Sequence, residues 1–105
     1  VLYLIGYREA GIYHIKIGIA ANPLRRLKQL QTGNGHRLSV LKAIDCVAPR
    51  RVELGLHRQF SHYRKSGEWF ELTAPVLAHL EQVMDRLAVD QLQNEQQPKS
   101  FYLVR

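Results

Sequence analysis

The stretch Gly11-Ile12-Tyr13-His14-Ile15-Lys16-Ile17-Gly18 puts a phenol and an ammonium into one alternating run, and a second phenol, Tyr3, lies just upstream in Leu2-Tyr3-Leu4. Further on, Arg25 and Arg26 sit side by side, and Glu53 stands one helical turn before His57. These groups suit work on a phosphate. A planar guanidinium grips phosphate bidentately and stabilises charge that develops in a transition state. A lone carboxylate is enough for magnesium, which keeps several waters and needs few protein ligands. A phenol near a cation loses its proton more readily and can serve as a general base toward water. Each residue also has a plainer reading. Tyr3 could be half-buried packing, Lys16 a solvated strand lysine, and Glu53–His57 an exposed i, i+4 pair worth about 0.2–0.5 kcal/mol.

The elements that must position these groups follow from periodicity. VLYLIGY (1–7) and IYHIKIGIA (12–20) alternate and are rich in β-formers, so they read as two strands joined by a hairpin loop, Arg8-Glu9-Ala10-Gly11. Asn22-Pro23 supplies an N-cap and a first-position proline for a helix with a Leu24, Leu27, Leu30 stripe, stopped by Thr32-Gly33-Asn34-Gly35. Residues 38–47, apolar on both faces, read as a central strand. A second helix starts at Pro49 and buries Val52, Leu56, Phe60 and Tyr63, and Glu68–Leu72 is a short strand or extended segment. A third helix is expected from about Pro75 to Leu92, followed by the polar stretch NEQQPKS and a closing Phe101–Val104 that reads either as a docked strand or as the start of a further segment. The expected fold is α+β, a small antiparallel three-stranded sheet flanked by helices, with a ββαβα core plus an extra strand and a C-terminal helix. It divides into a domain over 1–92 and a linker with a C-terminal segment over 93–105.

With the loop at residues 8–11, Tyr7 pairs with Ile12 and Tyr3 falls opposite Lys16. Alternation then puts Tyr3, Lys16 and Gly18 on one face, and Leu2, Leu4, Ile15, Ile17 and Tyr13 on the other. The meaningful tyrosine is Tyr3, not the Tyr13 of Gly11-Ile12-Tyr13. At about 100° per residue, Arg25 points away from the leucine stripe while Arg26 sits at its flank and can reach over the sheet.

In that register the chain resembles the GIY-YIG nuclease superfamily. Tyr3 matches the first-strand tyrosine, Lys16-Ile17-Gly18 the second motif, Arg26 the helix arginine and Glu53 the metal-binding glutamate. The runs KIGIAANPLRRLKQLQTG, ELGLHRQF and GEWFEL look most like a phage-associated branch described as DNA-binding domains. The resemblance covers roughly residues 1–72. Lys16 replaces the second motif's tyrosine, Leu30 stands where many members carry histidine, and the late asparagine has no match. The resemblance implies a DNA endonuclease in which Glu53 holds Mg2+ (or Mn2+), Tyr3 activates water, Lys16 assists and Arg26 stabilises the phosphate. Gly18, whose missing side chain would let a phosphate approach the backbone, joins Arg25, Arg26 and His57 as an expected DNA contact. The rival reading is a DNA-binding module that keeps the fold without cleavage.

Composition agrees with either. Fifteen Lys and Arg against nine Asp and Glu give a net charge of +6, which suits a polyanionic partner. One cysteine, Cys46, excludes an internal disulfide and a multi-cysteine zinc cluster, and fits a reducing, cytoplasmic setting. No membrane span or signal peptide is expected. A start at Val1 suggests a domain excised from a longer chain.

Overall fold

The computed structural model describes residues 1–88 and 102–103. Its elements run β1 (Leu2–Glu9), β2 (Ile12–Ile19), α1 (Pro23–Gln31), β3 (Ser39–Ile44), α2 (Pro49–Gln59), a single 3-10 turn (Ser61–Tyr63), β4 (Arg64–Ser66), β5 (Trp69–Leu72), α3 (Ala74–Leu87) and β6 (Tyr102–Leu103). The α+β class is as expected. The sheet is wider than three strands, because β4 and β5 form a hairpin against β2 while the two-residue β6 adds to β3, giving the order β4-β5-β2-β1-β3-β6. All pairs are antiparallel.

The sheet carries apolar side chains on both faces, and each face has its own cover. Leu2, Leu4, Ile15, Ile17, Leu41 and Ile44 pack with Leu56 and Phe60 of the α2 region and with Leu77, Leu80 and Met84 of α3. Tyr3, Ile5, Val40 and Ala43 pack with Leu27 and Leu30 of α1 on the other side. Tyr13 joins the first group, so it lies on the Ile15 side, as alternation requires.

The hairpin register departs from expectation. The turn is the two residues Ala10-Gly11, with φ of 53° and 80°, a pair of left-handed residues whose twist matches that of the flanking strands. Tyr3 therefore pairs with Gly18, Tyr7 with His14, and Lys16 with Ile5. Tyr3 is not opposite Lys16. The slip is two residues, an even number, so every side chain keeps its face and only its neighbour changes.

Helix α1 starts as expected, with Asn22 Oδ1 accepting from the Arg25 N–H and Pro23 at the first turn. Its buried stripe is shifted. Pro23 is buried and Leu24 is 47% exposed, so the contact line runs through Pro23, Leu27 and Leu30. Strand β3 is buried from Val40 to Ile44 and flanked on both sides, which explains its lack of a polar face. Tyr63, expected in the core, is 40% exposed because α2 ends at Gln59 and the 3-10 turn carries it outward. Residues 89–92 of the expected third helix and the NEQQPKS stretch lie outside the described residues. No helix among the described residues is long and apolar enough to cross a membrane.

Ala10 holds a left-handed backbone that an asparagine tolerates better. Ala10→Asn is expected to stabilise the fold by about 0.5–1 kcal/mol, read as a higher urea midpoint at unchanged m.

Candidate active site

The site begins with the Tyr3–Gly18 pair. A methyl group on Gly18 would stand 2.5 Å from Tyr3 Oη and 2.7 Å from Cζ, so the phenol lies directly across the glycine. Gly18 was expected to leave room for a phosphate, but the room is taken by the tyrosine ring. The closeness serves the aromatic side chain and fixes where its hydroxyl points. Tyr3 as a whole is only 1% exposed.

Three charged groups act on that hydroxyl. Arg26 of α1 lies close enough to the phenol to pull its pKa down, and donates to Gln29 Oε1 at 3.2 Å. Glu68 and Glu53 both lie near enough for their charges to act on it. Lys16, diagonal to Tyr3, pairs with Glu68 at 3.0 Å and lies over the Trp69 ring, 5.8 Å from its centre. Tyr3, Arg26 and Glu53 thus come from three elements to one place, with Lys16 joined to it through Glu68.

An open sheet edge makes this possible. Strand β5 pairs with β2 only from Tyr13 to Lys16, and the Ile17 N–H makes a last, long contact to the Glu68 carbonyl at 3.4 Å. Beyond it no strand among the described residues flanks that edge of β2, and α2 fills in. His57 lies 3.0 Å through Nε2 from the Ile17 carbonyl, with its ring edge-on to Phe70 at 5.1 Å. An Nε2–H donor satisfies that carbonyl and fixes the tautomer. Tied down one turn before His57, Glu53 is held half-buried beside the Gly18 end of β2. His57 therefore positions the helix, and its polar contact is to backbone.

The phenol's acidity runs against expectation. Burial pushes the Tyr3 pKa up; the Arg26 guanidinium pulls it down, and the Glu68 and Glu53 carboxylates push it up again. Lys16 was expected to lower it, but that ammonium is engaged by Glu68. Tyr3 is a neutral phenol at ordinary pH. Arg25 is exposed on the far side of α1, as its helical angle predicts, beside Asn22 and Lys28. Glu68 is the residue that sequence reasoning left without a role. Its signal lay in the pairing of Lys16 with Trp69, which brings the preceding residue alongside β2.

A model of the T5orf172 domain matches residues 1–98. The chain belongs to the T5orf172 domain family. That domain is phage-associated and related to GIY-YIG and HNH-like nucleases. No curated protein and no solved structure matches the chain.

In this T5orf172 domain the Tyr3–Gly18 contact is the most exacting feature of the site. Gly18→Ala should force the phenol off the strand and cost about 1–3 kcal/mol, as overpacking does. Urea unfolding measures the loss. Gly18→Ala with unchanged stability would mean that Tyr3 does not rest on Gly18.

Proposed function

We propose that this T5orf172 domain is a magnesium-dependent DNA endonuclease of GIY-YIG type. The observation that carries the reading is the meeting of Tyr3, Arg26 and Glu53 at the open edge of β2. A guanidinium, a phenol and a carboxylate are what hydrolysis of a phosphodiester asks for. They bind the anion, orient a water and supply an oxygen ligand for a hard cation.

Among the described residues no three His, Cys, Asp or Glu side chains form a metal cluster. One free-standing carboxylate, with waters and a substrate oxygen completing the shell, fits magnesium and does not fit a structural zinc. Glu53 is that ligand, since Glu68 is engaged by Lys16. Magnesium, when bound, polarises the phosphate and makes water more acidic. Arg26 receives the scissile phosphate and stabilises its added charge as water attacks phosphorus and the bond to the leaving oxygen breaks. The Arg26 guanidinium beside the Tyr3 oxygen has no acceptor, which leaves the phenol's own proton to donate to a phosphate oxygen or to orient the water. With its pKa raised, Tyr3 works as a neutral hydroxyl, and it takes a proton from the attacking water only while its own proton passes to a phosphate oxygen. Lys16, bridged to Glu68, enters the reaction if a phosphate displaces that carboxylate.

The Lys16–Glu68 pair and the protonated phenol also favour a second reading, a DNA-binding module with little or no cleavage. A plasmid-nicking assay separates the two. Wild type should nick with magnesium or manganese, and Glu53→Gln should lower the rate by about a hundredfold or more while DNA binding survives, because only the metal's charge partner is removed. Arg26→Ala should lower both binding and cleavage, the latter by about 10²–10³. Tyr3→Phe should spare binding and lose cleavage. Binding in every variant should weaken steeply with salt, as phosphate contacts do. No nicking by wild type with either metal would leave the binding module, and a flat salt response would reject both.

A further inference from the structure

The face of the sheet that carries Tyr3 also carries three aromatic rings stacked in a row. Tyr7 lies between His14, its cross-strand partner, and His36 of the α1–β3 loop. The ring centres are 4.6 Å and 4.0 Å apart and the planes differ by 8° and 5°. His14 is anchored in turn by Glu71, its Nδ1 3.7 Å from the carboxylate. His36 ends the row. One of its faces covers Tyr7, yet the residue is exposed, so the opposite face meets solvent.

The loop that presents His36 is fixed by its own polar contacts. Gln31 Nε2 donates to the His36 carbonyl at 2.7 Å, and Gln31 Oε1 accepts from the Leu38 N–H at 2.8 Å. The His36 N–H donates to Asn34 Oδ1 at 2.9 Å. Beside the ring opens a groove of about 510 Å³ between α1 and the loop, with Leu27 and Leu38 at its base and Lys28 and Arg37 as its cations. Lys28 also lines the neighbouring groove with Asn22 and Arg25, so the cations continue along the outer side of α1.

A ring held flat with one face open, in a part-apolar groove flanked by two cations, is what an unpaired nucleotide requires. The base stacks and the phosphates meet the cations. A base inside a duplex is stacked on both sides and has no free face to offer. We infer that the His36 groove seats one unpaired base of a DNA strand whose backbone follows Arg37, Lys28 and Arg25 along α1. The inference rests on the reading of this domain as a DNA-handling module, and it adds that the strand is engaged single-stranded or locally opened.

The test compares oligothymidylate with a chain of equal length and charge made of abasic sugars, using wild type, His36→Ala and His36→Phe, with thermal unfolding as a control on folding. Wild type should bind oligothymidylate about tenfold more tightly than the abasic chain. His36→Ala should lose that tenfold while its affinity for the abasic chain stays unchanged, and His36→Phe, which keeps an aromatic face, should retain it. A purely structural stack would weaken both chains together, and that result overturns the inference. Equal wild-type affinity for the two chains also overturns it, and leaves the proposed function standing. No binding of any DNA by wild type removes the proposed function and the inference with it.

Discussion

The contact between the Tyr3 ring and Gly18 sets the terms for the rest of the site. Only a residue without a side chain allows a phenol to lie across the neighbouring strand at that distance. The contact buries the ring and leaves its hydroxyl where α1 and α2 can both reach it. The burial has an electrostatic consequence. It disfavours the phenolate, and the Arg26 guanidinium offsets part of that cost without reversing it. The site is thus built around a neutral hydroxyl held by a cation, with carboxylates on its border.

The second constraint is the early end of β5. Had β5 continued alongside β2, a strand would occupy the flank of Gly18 and no helical carboxylate could approach. Its pairing stops at Lys16, and the Ile17 carbonyl left at that edge is taken by His57 instead. A buried backbone acceptor needs a partner, and here the partner is a side chain that also pins α2. One hydrogen bond therefore serves both the sheet edge and the placement of Glu53. The same helix turns Arg50, Arg51 and Arg58 outward around Leu54, a second cationic surface apart from the Tyr3 hydroxyl.

Alternation alone was enough to put Tyr3, Lys16 and Gly18 on one face and Tyr13 on the other, because those conclusions depend on parity and survive a slip of two residues. The exact partner did not follow, since Ala10-Gly11 lacks the asparagine that usually marks a two-residue turn. The side of α1 facing the sheet was off by the width of one residue: Pro23 replaced Leu24 in the contact line, yet Arg26 kept its flank position. What could not be read were contacts between elements distant in the chain. Glu68 on Lys16, His57 on the Ile17 carbonyl and His36 on Tyr7 each depend on where a strand ends or a loop folds back. The resemblance of the chain to GIY-YIG nucleases supplied roles for Tyr3, Arg26 and Glu53, and the structure supplies their common location.

The most direct measurement is a crystal structure of the domain with a short DNA bound. The account predicts a backbone phosphate against the Arg26 guanidinium, within hydrogen-bonding distance of the Tyr3 hydroxyl and on the Glu53 side of β2. DNA lying instead along Arg50, Arg51 and Arg58 of α2, with no phosphate at Arg26 and Tyr3, would contradict it.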